Sequence, residues 1–228
     1  MKKVGDTWLP DVDMRWGSNR RKSKASFADG GRGALIDHIE EALALVEGDG
    51  TAIDAGANVG SYTRIMAGRF SHVHAFEPAP DTAACLERNV REWGLEGRVT
   101  VHAAALSDGT AGVSMAGSAR RRSVTRRVED GGDIASVAID ALGLDDLAFL
   151  KIDVEGFEER VLRGARGTLA RCRPAVMMEV KPEQNERYGD AMGSERLLLA
   201  LGYRMDRTLG ERGIDRLYLP DGEPAPAP

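Results

Sequence analysis

Thr51-Ala-Ile-Asp54-Ala-Gly56-Ala-Asn58-Val-Gly60 is the stretch that decides the fold. It opens as a short apolar run, then turns through glycines at 56 and 60. From Ser61 onward Ile65 and Met66 fall on one helical face. That is strand, glycine turn, helix. Upstream, Leu35, Ile39, Leu43 and Val46 recur at helical spacing and stop at Gly48. Downstream, residues 72–76 read as a second buried strand closing on Glu77-Pro78. Ala83, Leu86, Val90 and Trp93 then line the inward face of a helix stopped by Gly94. Residues 98–105 read as a third strand. Helix, strand, helix, strand, helix, strand implies a parallel sheet with helices on both faces.

The pattern breaks between 107 and 139, where Gly109, Gly112, Gly117 and Gly131-Gly132 punctuate short pieces. Hairpin-like strands or a mobile loop are expected there, carrying the arginine cluster at 120–127. Order resumes with a fourth core strand over 147–153 and a helix through Phe157, Val161 and Ala165. A fifth strand over 174–179, a helix near 195–201, and strands near 203–205 and 216–219 complete seven. The tight turn between the last two predicts that the final strand inserts antiparallel. The expected organisation is an irregular N-terminal arm or lid over 1–33, one α/β domain over 34–220, and a disordered tail over 221–228.

With 228 residues, 42% of them hydrophobic and 29% charged, the chain can bury a sizeable core. No apolar run approaches the roughly 20 residues of a membrane helix. Two lysines at the N-terminus have no apolar stretch behind them, so no secretory signal is read there. Cys85 and Cys172 make no disulfide framework or zinc pattern, which points to a cytoplasmic, reducing compartment. A net charge of −5 and 5% aromatics argue against nucleic acid as a partner. Oligomeric state is not written in these features.

The glycine loop carries the chemistry. Glycine at such a turn permits positive φ and close approach of a ligand to the backbone. Glu77 ends the next strand, 23 residues after Asp54, where an acid accepts both hydroxyls of a ribose. A dinucleotide fingerprint wants G-x-G-x-x-G, so that pyrophosphate meets a naked helix N-terminus. Here Asn58 stands at the middle glycine, and the next glycine after Gly60 is Gly68. Asp54 before the loop repels phosphate and suits a cation. S-adenosylmethionine carries an ammonium and a sulfonium and no phosphate, so the loop favours it over NAD.

Several blocks together resemble the FkbM-type S-adenosylmethionine-dependent methyltransferases. They are Ile53-Asp-Ala-Gly-Ala-Asn-Val-Gly60, Ala75-Phe-Glu-Pro78, Leu150-Lys-Ile-Asp-Val-Glu-Gly-Phe-Glu158, Val161-Leu-Arg-Gly-Ala165 and Met178-Glu-Val180. They occur in family order over about 34–182, and the block from Lys151 to Gly156 is the most specific. The resemblance implies the Rossmann-like class I methyltransferase fold, a seven-stranded mostly parallel sheet in the order 3-2-1-4-5-7-6. It also implies a sugar, polyketide or other natural-product hydroxyl as acceptor. Carried over by residue, Asp54, Gly56, Asn58 and Gly60 hold the methionine end and Glu77 the ribose. Residues 105–108 border the adenine, with Asp108 as partner of its amino group.

In a doubly wound sheet, reacting groups gather at the carboxyl ends of the strands. Asp153 ends the fourth strand and Glu179 the fifth, so both are expected to face the cofactor's methyl group or the acceptor. A hydroxyl must lose its proton as it is methylated. Asp153 or Glu155 is placed to take it, or to help hold a divalent metal such as magnesium. Lys151 reads as a snorkelling side chain, His38 as exposed, and His74 and His102 as satisfied core residues. Tyr62 reads as packing. The competing functions are N- or C-methylation of a peptide or small molecule on the same fold, an NAD(P)-dependent oxidoreductase, and a non-catalytic cofactor-binding module.

Overall fold

The computed structural model of the chain describes residues 1–11, 37–109, 111–116, 127–186, 190–210 and 213–222. Two short strands, β1 (Lys2–Val4) and β2 (Thr7–Leu9), pair as an antiparallel hairpin. Helix α1 (Asp37–Leu43) leads to β3 (Thr51–Ala55), α2 (Ser61–Arg69), β4 (His72–Phe76), α3 (Pro80–Glu92) and β5 (Val99–His102). Four short strands follow, β6 (Ala105–Leu106), β7 (Val113–Ala116), β8 (Arg127–Asp130) and β9 (Ser136–Val137). Then come β10 (Leu147–Ile152), α4 (Glu158–Arg163), α5 (Arg166–Cys172), β11 (Ala175–Glu179) and α6 (Pro182–Asn185). The last elements are α7 (Gly193–Ala200), β12 (Tyr203–Leu209) and β13 (Asp215–Pro220).

The central sheet has seven strands in the order β12-β13-β11-β10-β3-β4-β5. Numbered along the chain within this sheet and read from the β5 edge, the order is 3-2-1-4-5-7-6, as the resemblance implies. β11, β10, β3, β4 and β5 run parallel, and β13 is antiparallel to both of its neighbours. The direction of winding reverses between β3 and β10, so the crevice for a ligand opens at their carboxyl ends.

Both faces of the sheet are covered, which is why its inner strands are apolar at nearly every position. On one side Ile39 and Leu43 of α1, Met66 of α2 and Leu86 and Val90 of α3 pack on Val73, Phe149 and Leu217. On the other, Val161 and Leu162 of α4, Leu169 of α5 and Leu198 of α7 pack on Ile53, Leu150, Ile152 and Val176.

The structure departs from the sequence reading in three places and meets it in a fourth. The expected third strand splits, because β6 leaves the sheet to pair with β9. The expected helix after the fourth strand breaks into α4 and α5 at Gly164. There the backbone of Ser107 passes so close that a Cβ would lie 2.0 Å from its carbonyl oxygen. β7 and β8 form the expected hairpin, while 117–126, with most of the arginine cluster, lie outside the described residues. Residues 1–11 form an ordered hairpin docked on α3 in place of an irregular arm; 12–36 and 223–228 lie outside the described residues.

Candidate functional site

The loop between β3 and α2 takes its shape from three left-handed residues, Gly56 (φ 77), Asn58 (φ 52) and Gly60 (φ 95). Gly56 admits no side chain, since a Cβ would stand 1.9 Å from the Asp153 carbonyl oxygen. Its backbone therefore lies directly against the end of β10. Four of the loop's amides donate within the protein. The amides of Gly56 and Ala57 both donate to the Phe76 carbonyl, at 3.0 and 2.9 Å, and Gly60 N donates to Ala57 O at 2.9 Å. Asn58 N donates to Glu77 Oε2 at 2.9 Å, while Glu77 Oε1 accepts from Ala79 N at 2.9 Å. Glu77 is buried, and its carboxylate ties the glycine loop to the turn that follows β4.

A row of polar side chains crosses the carboxyl edge of the sheet on the face covered by α1 and α2. Strand alternation puts Asp54 on the side of Ala52, Lys151 on the side of Phe149, Glu179 on the side of Met177, and Asp215 on the side of Leu217. Register makes them neighbours: Lys151 stands opposite both Asp54 and Met177, and Glu179 opposite Asp215. The Lys151 ammonium lies 3.1 Å from Asp54 Oδ1, 3.8 Å from Asp153 Oδ2 and 3.3 Å from the Gly56 carbonyl oxygen. Asp54 Oδ2 accepts from the Thr63 hydroxyl at 2.7 Å. Lys151 is only 3% exposed, so the expected snorkelling is corrected to a buried bridge between two carboxylates. Burial alone would pull its pKa down, but Asp54 and then Asp153 outweigh it and the net shift is upward.

Tyr62 closes this row from above. Its ring centroid sits 4.8 Å from the Lys151 ammonium, and its hydroxyl is 2.7 Å from His38 Nε2. His38 Nε2 is also 3.7 Å from Asp215 Oδ2. His38 is 6% exposed, so its expected exposure is also corrected: α1 turns it onto the sheet edge. Burial pushes the Tyr62 phenol well above its ordinary pKa, so it stays protonated.

Beyond Lys151, the carboxylates of Asp153, Glu155 and Glu179 bring one oxygen each within 4.8 Å of one another. Glu155 (φ 55) and Gly156 (φ 107) make the tight turn that brings Glu155 back beside β11. Lys181 is seated in this group, ion-paired with Glu179 and 3.6 Å from Glu155. Burial and the neighbouring Asp153 push Glu179 up to about 8, against the pull of Lys181. Glu158 supports the turn from inside. Its Oε1 accepts the amides of Gly156 at 3.0 Å and Val154 at 3.3 Å, and burial pushes its carboxyl up to about 7.

Of the expected site residues, Asp54, Gly56, Asn58, Gly60, Glu77, Asp153, Glu155 and Glu179 come together at this edge. Asp108 sits apart, against α4. Its Oδ1 accepts from Arg160 Nε at 2.9 Å and from the Ser107 hydroxyl at 3.1 Å, and both partners hold it below the usual carboxylate range despite its burial. His74 and His102 are half-buried on the β4–β5 edge, with ring nitrogens 3.0 Å apart. Burial, then His102, lowers His74 to about 4, which keeps it neutral. The reading of the sequence missed Lys151, Tyr62 and His38 as members of the site. A lysine inside the apolar strand Leu147–Ile152 was the available signal for the first; helix geometry alone revealed the others.

Comparison with known proteins agrees with this architecture. The Methyltransferase FkbM domain family matches residues 54–205. No curated protein matches the chain in sequence. Among solved structures, a methyltransferase FkbM from Methylobacillus flagellatus KT superimposes with a TM-score of 0.50 at 19% identity. The match covers 74% of this chain and 43% of that one, so the chain spans less than half the length of that relative. A candidate rRNA methylase from Clostridium thermocellum superimposes with a TM-score of 0.55 at 11% identity, over 84% of this chain and 98% of that one. At these identities the likeness is one of fold.

Proposed function

Since the chain belongs to the FkbM methyltransferase family, we propose that it moves a methyl group from S-adenosylmethionine to a hydroxyl of a sugar, polyketide or other small-molecule or glycan acceptor. The observation that carries this reading is the donor count of the glycine loop. Four of its amides are already hydrogen-bonded within the protein, so the loop is no cradle for pyrophosphate. Around it stand Asp54, Glu77 and Asp153, a set suited to a cationic ligand. S-adenosylmethionine fits that chemistry, and a nicotinamide dinucleotide does not.

The residues divide the ligand between them. The loop from Asp54 to Gly60 takes the methionine end. The tight backbone at Gly56 and Gly60, with Asn58 between, lets that end lie close to the chain, and Asp54 supplies negative charge beneath it. Glu77 takes the ribose hydroxyls. Asp108 has given Oδ1 to Arg160 and Ser107, so Oδ2 is the atom we assign to the adenine amino group.

The cofactor supplies a methyl group activated on a positively charged sulfur. Transfer is an in-line displacement: the acceptor oxygen bonds to the methyl carbon as the carbon–sulfur bond breaks, and the hydroxyl proton must leave. Asp153 takes that proton. Lys151 fixes its orientation from 3.8 Å, and burial and Asp153 push the neighbouring Glu179 up to about 8, so that Glu179 can hold a proton at neutral pH. Glu155 and Glu179 border the acceptor on the other side. Asp153, Glu155 and Glu179 also have the donor types of a magnesium site. Lys181 already places a cation of the chain's own beside Glu179 and Glu155, so no step here runs through a metal.

Calorimetric titration with S-adenosylhomocysteine, with and without magnesium, tests the proposal. Micromolar binding by a folded sample, weakened in Glu77→Ala and retained in Asp153→Asn, is the expected result. An absence of binding overturns the cofactor assignment, and a requirement for magnesium overturns the metal-free step.

A further inference from the structure

The glycine loop is held from behind by a segment outside the residues matched to the family, which begin at 54. The β1–β2 hairpin lies along α3, and the contact is made by hydrogen bonds as well as packing. Its centre is Asn89, a fully buried side chain of α3. The Asn89 carboxamide oxygen accepts the Trp8 amide at 2.6 Å, and its nitrogen donates to the Trp8 carbonyl at 3.0 Å. One side chain thus pairs with Trp8 as a neighbouring strand would. The same nitrogen donates to the Val59 carbonyl at 2.8 Å, inside the glycine loop. The Val59 side chain is buried with Leu9 of the hairpin and Cys85 of α3, in an apolar cluster separate from the two main cores.

The hairpin turn grips both helices that flank the loop. Asp6 Oδ2 accepts from Arg64 of α2 at 2.6 Å, and the Asp6 carbonyl accepts from the Trp93 indole, just beyond α3, at 3.1 Å. Arg64 lies over the Trp93 ring at 4.9 Å. That ring backs the loop itself, since a Cβ on Gly60 would come within 3.2 Å of it. Val59 therefore sits between two left-handed residues with its carbonyl, its side chain and the following glycine all braced by contacts that lead to residues 6–9. A non-glycine residue in the left-handed region, as Asn58 is here, holds that conformation only when its surroundings enforce it.

We propose that the N-terminal hairpin is a clamp on the cofactor loop. Docked through Asn89 and Asp6, it fixes the loop in its ligand-binding shape, so hairpin docking and binding of S-adenosylmethionine are energetically coupled. This rests on the cofactor reading above. Asn89, Asp6 and Leu9 are positioning residues, none of which touches the ligand. Coupling is reciprocal: what the hairpin adds to ligand affinity, the ligand returns to hairpin docking.

The experiment measures S-adenosylhomocysteine affinity by calorimetry, beside thermal stability, for the 228-residue protein and four variants. Asn89→Ala removes the bond to Val59 and should raise the dissociation constant about tenfold, at the lower end of usual coupling energies. Asp6→Ala and Leu9→Ala are milder, serve if Asn89→Ala does not fold, and should each raise it about three- to fivefold. Arg173→Ala is the comparison. It removes bonds to the carbonyls of Leu201, Gly202, Asp221 and Gly222, away from the loop, and should lower the melting temperature at unchanged affinity. Hydrogen exchange at residues 7–9 should slow when S-adenosylhomocysteine is added. Hairpin variants that melt earlier yet bind with wild-type affinity, or exchange at 7–9 that ignores the ligand, would overturn the clamp. Failure of the wild-type protein to bind S-adenosylhomocysteine is a different result, and it overturns the cofactor reading first.

Discussion

Replacing Lys151 with methionine should cost far more than the loss of a surface lysine. The ammonium is buried and stands 3.1 Å from Asp54 Oδ1, where a unit charge pair at an effective dielectric of 20 is worth about 5 kcal/mol. Methionine keeps the stem's apolar contacts and leaves Asp54 fully buried, accepting from the Thr63 hydroxyl with no lysine ammonium beside it. Removing one partner of a buried pair typically destabilises by about 3–5 kcal/mol. For a chain of this size that lowers the melting temperature by roughly 6–20 °C. Asp54→Asn in the same chain removes the stranded charge and keeps an oxygen for Thr63, so the double variant should recover more than half of the loss. Urea denaturation of the two single variants and the double variant measures this directly. A loss under about 1 kcal/mol in Lys151→Met would refute the buried-bridge argument. So would a double variant no better than the single.

Glu158 makes stability depend on pH. Its folded pKa, about 7, lies above its ordinary 4.5, so the folded state binds more protons and stability falls as pH rises between those values. Glu158→Gln mimics the protonated form; urea midpoints at pH 5 and pH 8 should differ less in the variant than in the wild type. Gly56→Ala should yield insoluble or unfolded protein, because its Cβ would lie 1.9 Å from backbone that cannot yield; a soluble variant with a wild-type melting temperature would contradict the close approach. Glu77→Gln keeps one acceptor for the two backbone amides it ties but loses the charge. It should bind S-adenosylhomocysteine more weakly while melting within a few degrees of wild type, as calorimetry and a thermal scan would show. Asp153→Asn should bind S-adenosylhomocysteine as the wild type does and lose at least about a hundredfold in turnover once an acceptor is in hand, the usual scale of a general base.

The fold was legible because its signals are local. Apolar runs of five or six residues, each followed by a glycine or proline turn and a 3.6-periodic segment, are enough to fix alternating strands and helices, and the rules of winding do the rest. The acids at strand ends were legible for the same reason, since topology puts the carboxyl ends of the parallel strands on one edge. The N-terminal hairpin was not. Its strands have three residues each, and what holds them is Asn89, eighty-one positions away from Trp8. The break at Gly164 escaped because what packs against it, the backbone of Ser107, is again distant in sequence. His38 looked exposed when α1 was considered alone; the surface it faces is made of β13 and α2.

Lys151 shows where a finer reading of the same letters would have served. A lysine snorkels when its stem runs along a surface and its head reaches water. In Leu147–Ile152 every neighbour is apolar and the strand lies at the centre of the sheet, with helices over both faces, so no water is within reach. A charged residue there must be paired, and its partner must come from an adjacent strand at the same register. Asp54 is the only acid in β3, and it stands opposite Lys151. The same bridge has a chemical consequence. By meeting the Asp54 carboxylate and reaching Asp153 as well, Lys151 holds two acids in place at the strand ends where the winding of the sheet reverses. Stability of the sheet centre and the placement of these two acids therefore depend on one side chain, and Lys151→Met should disturb both together.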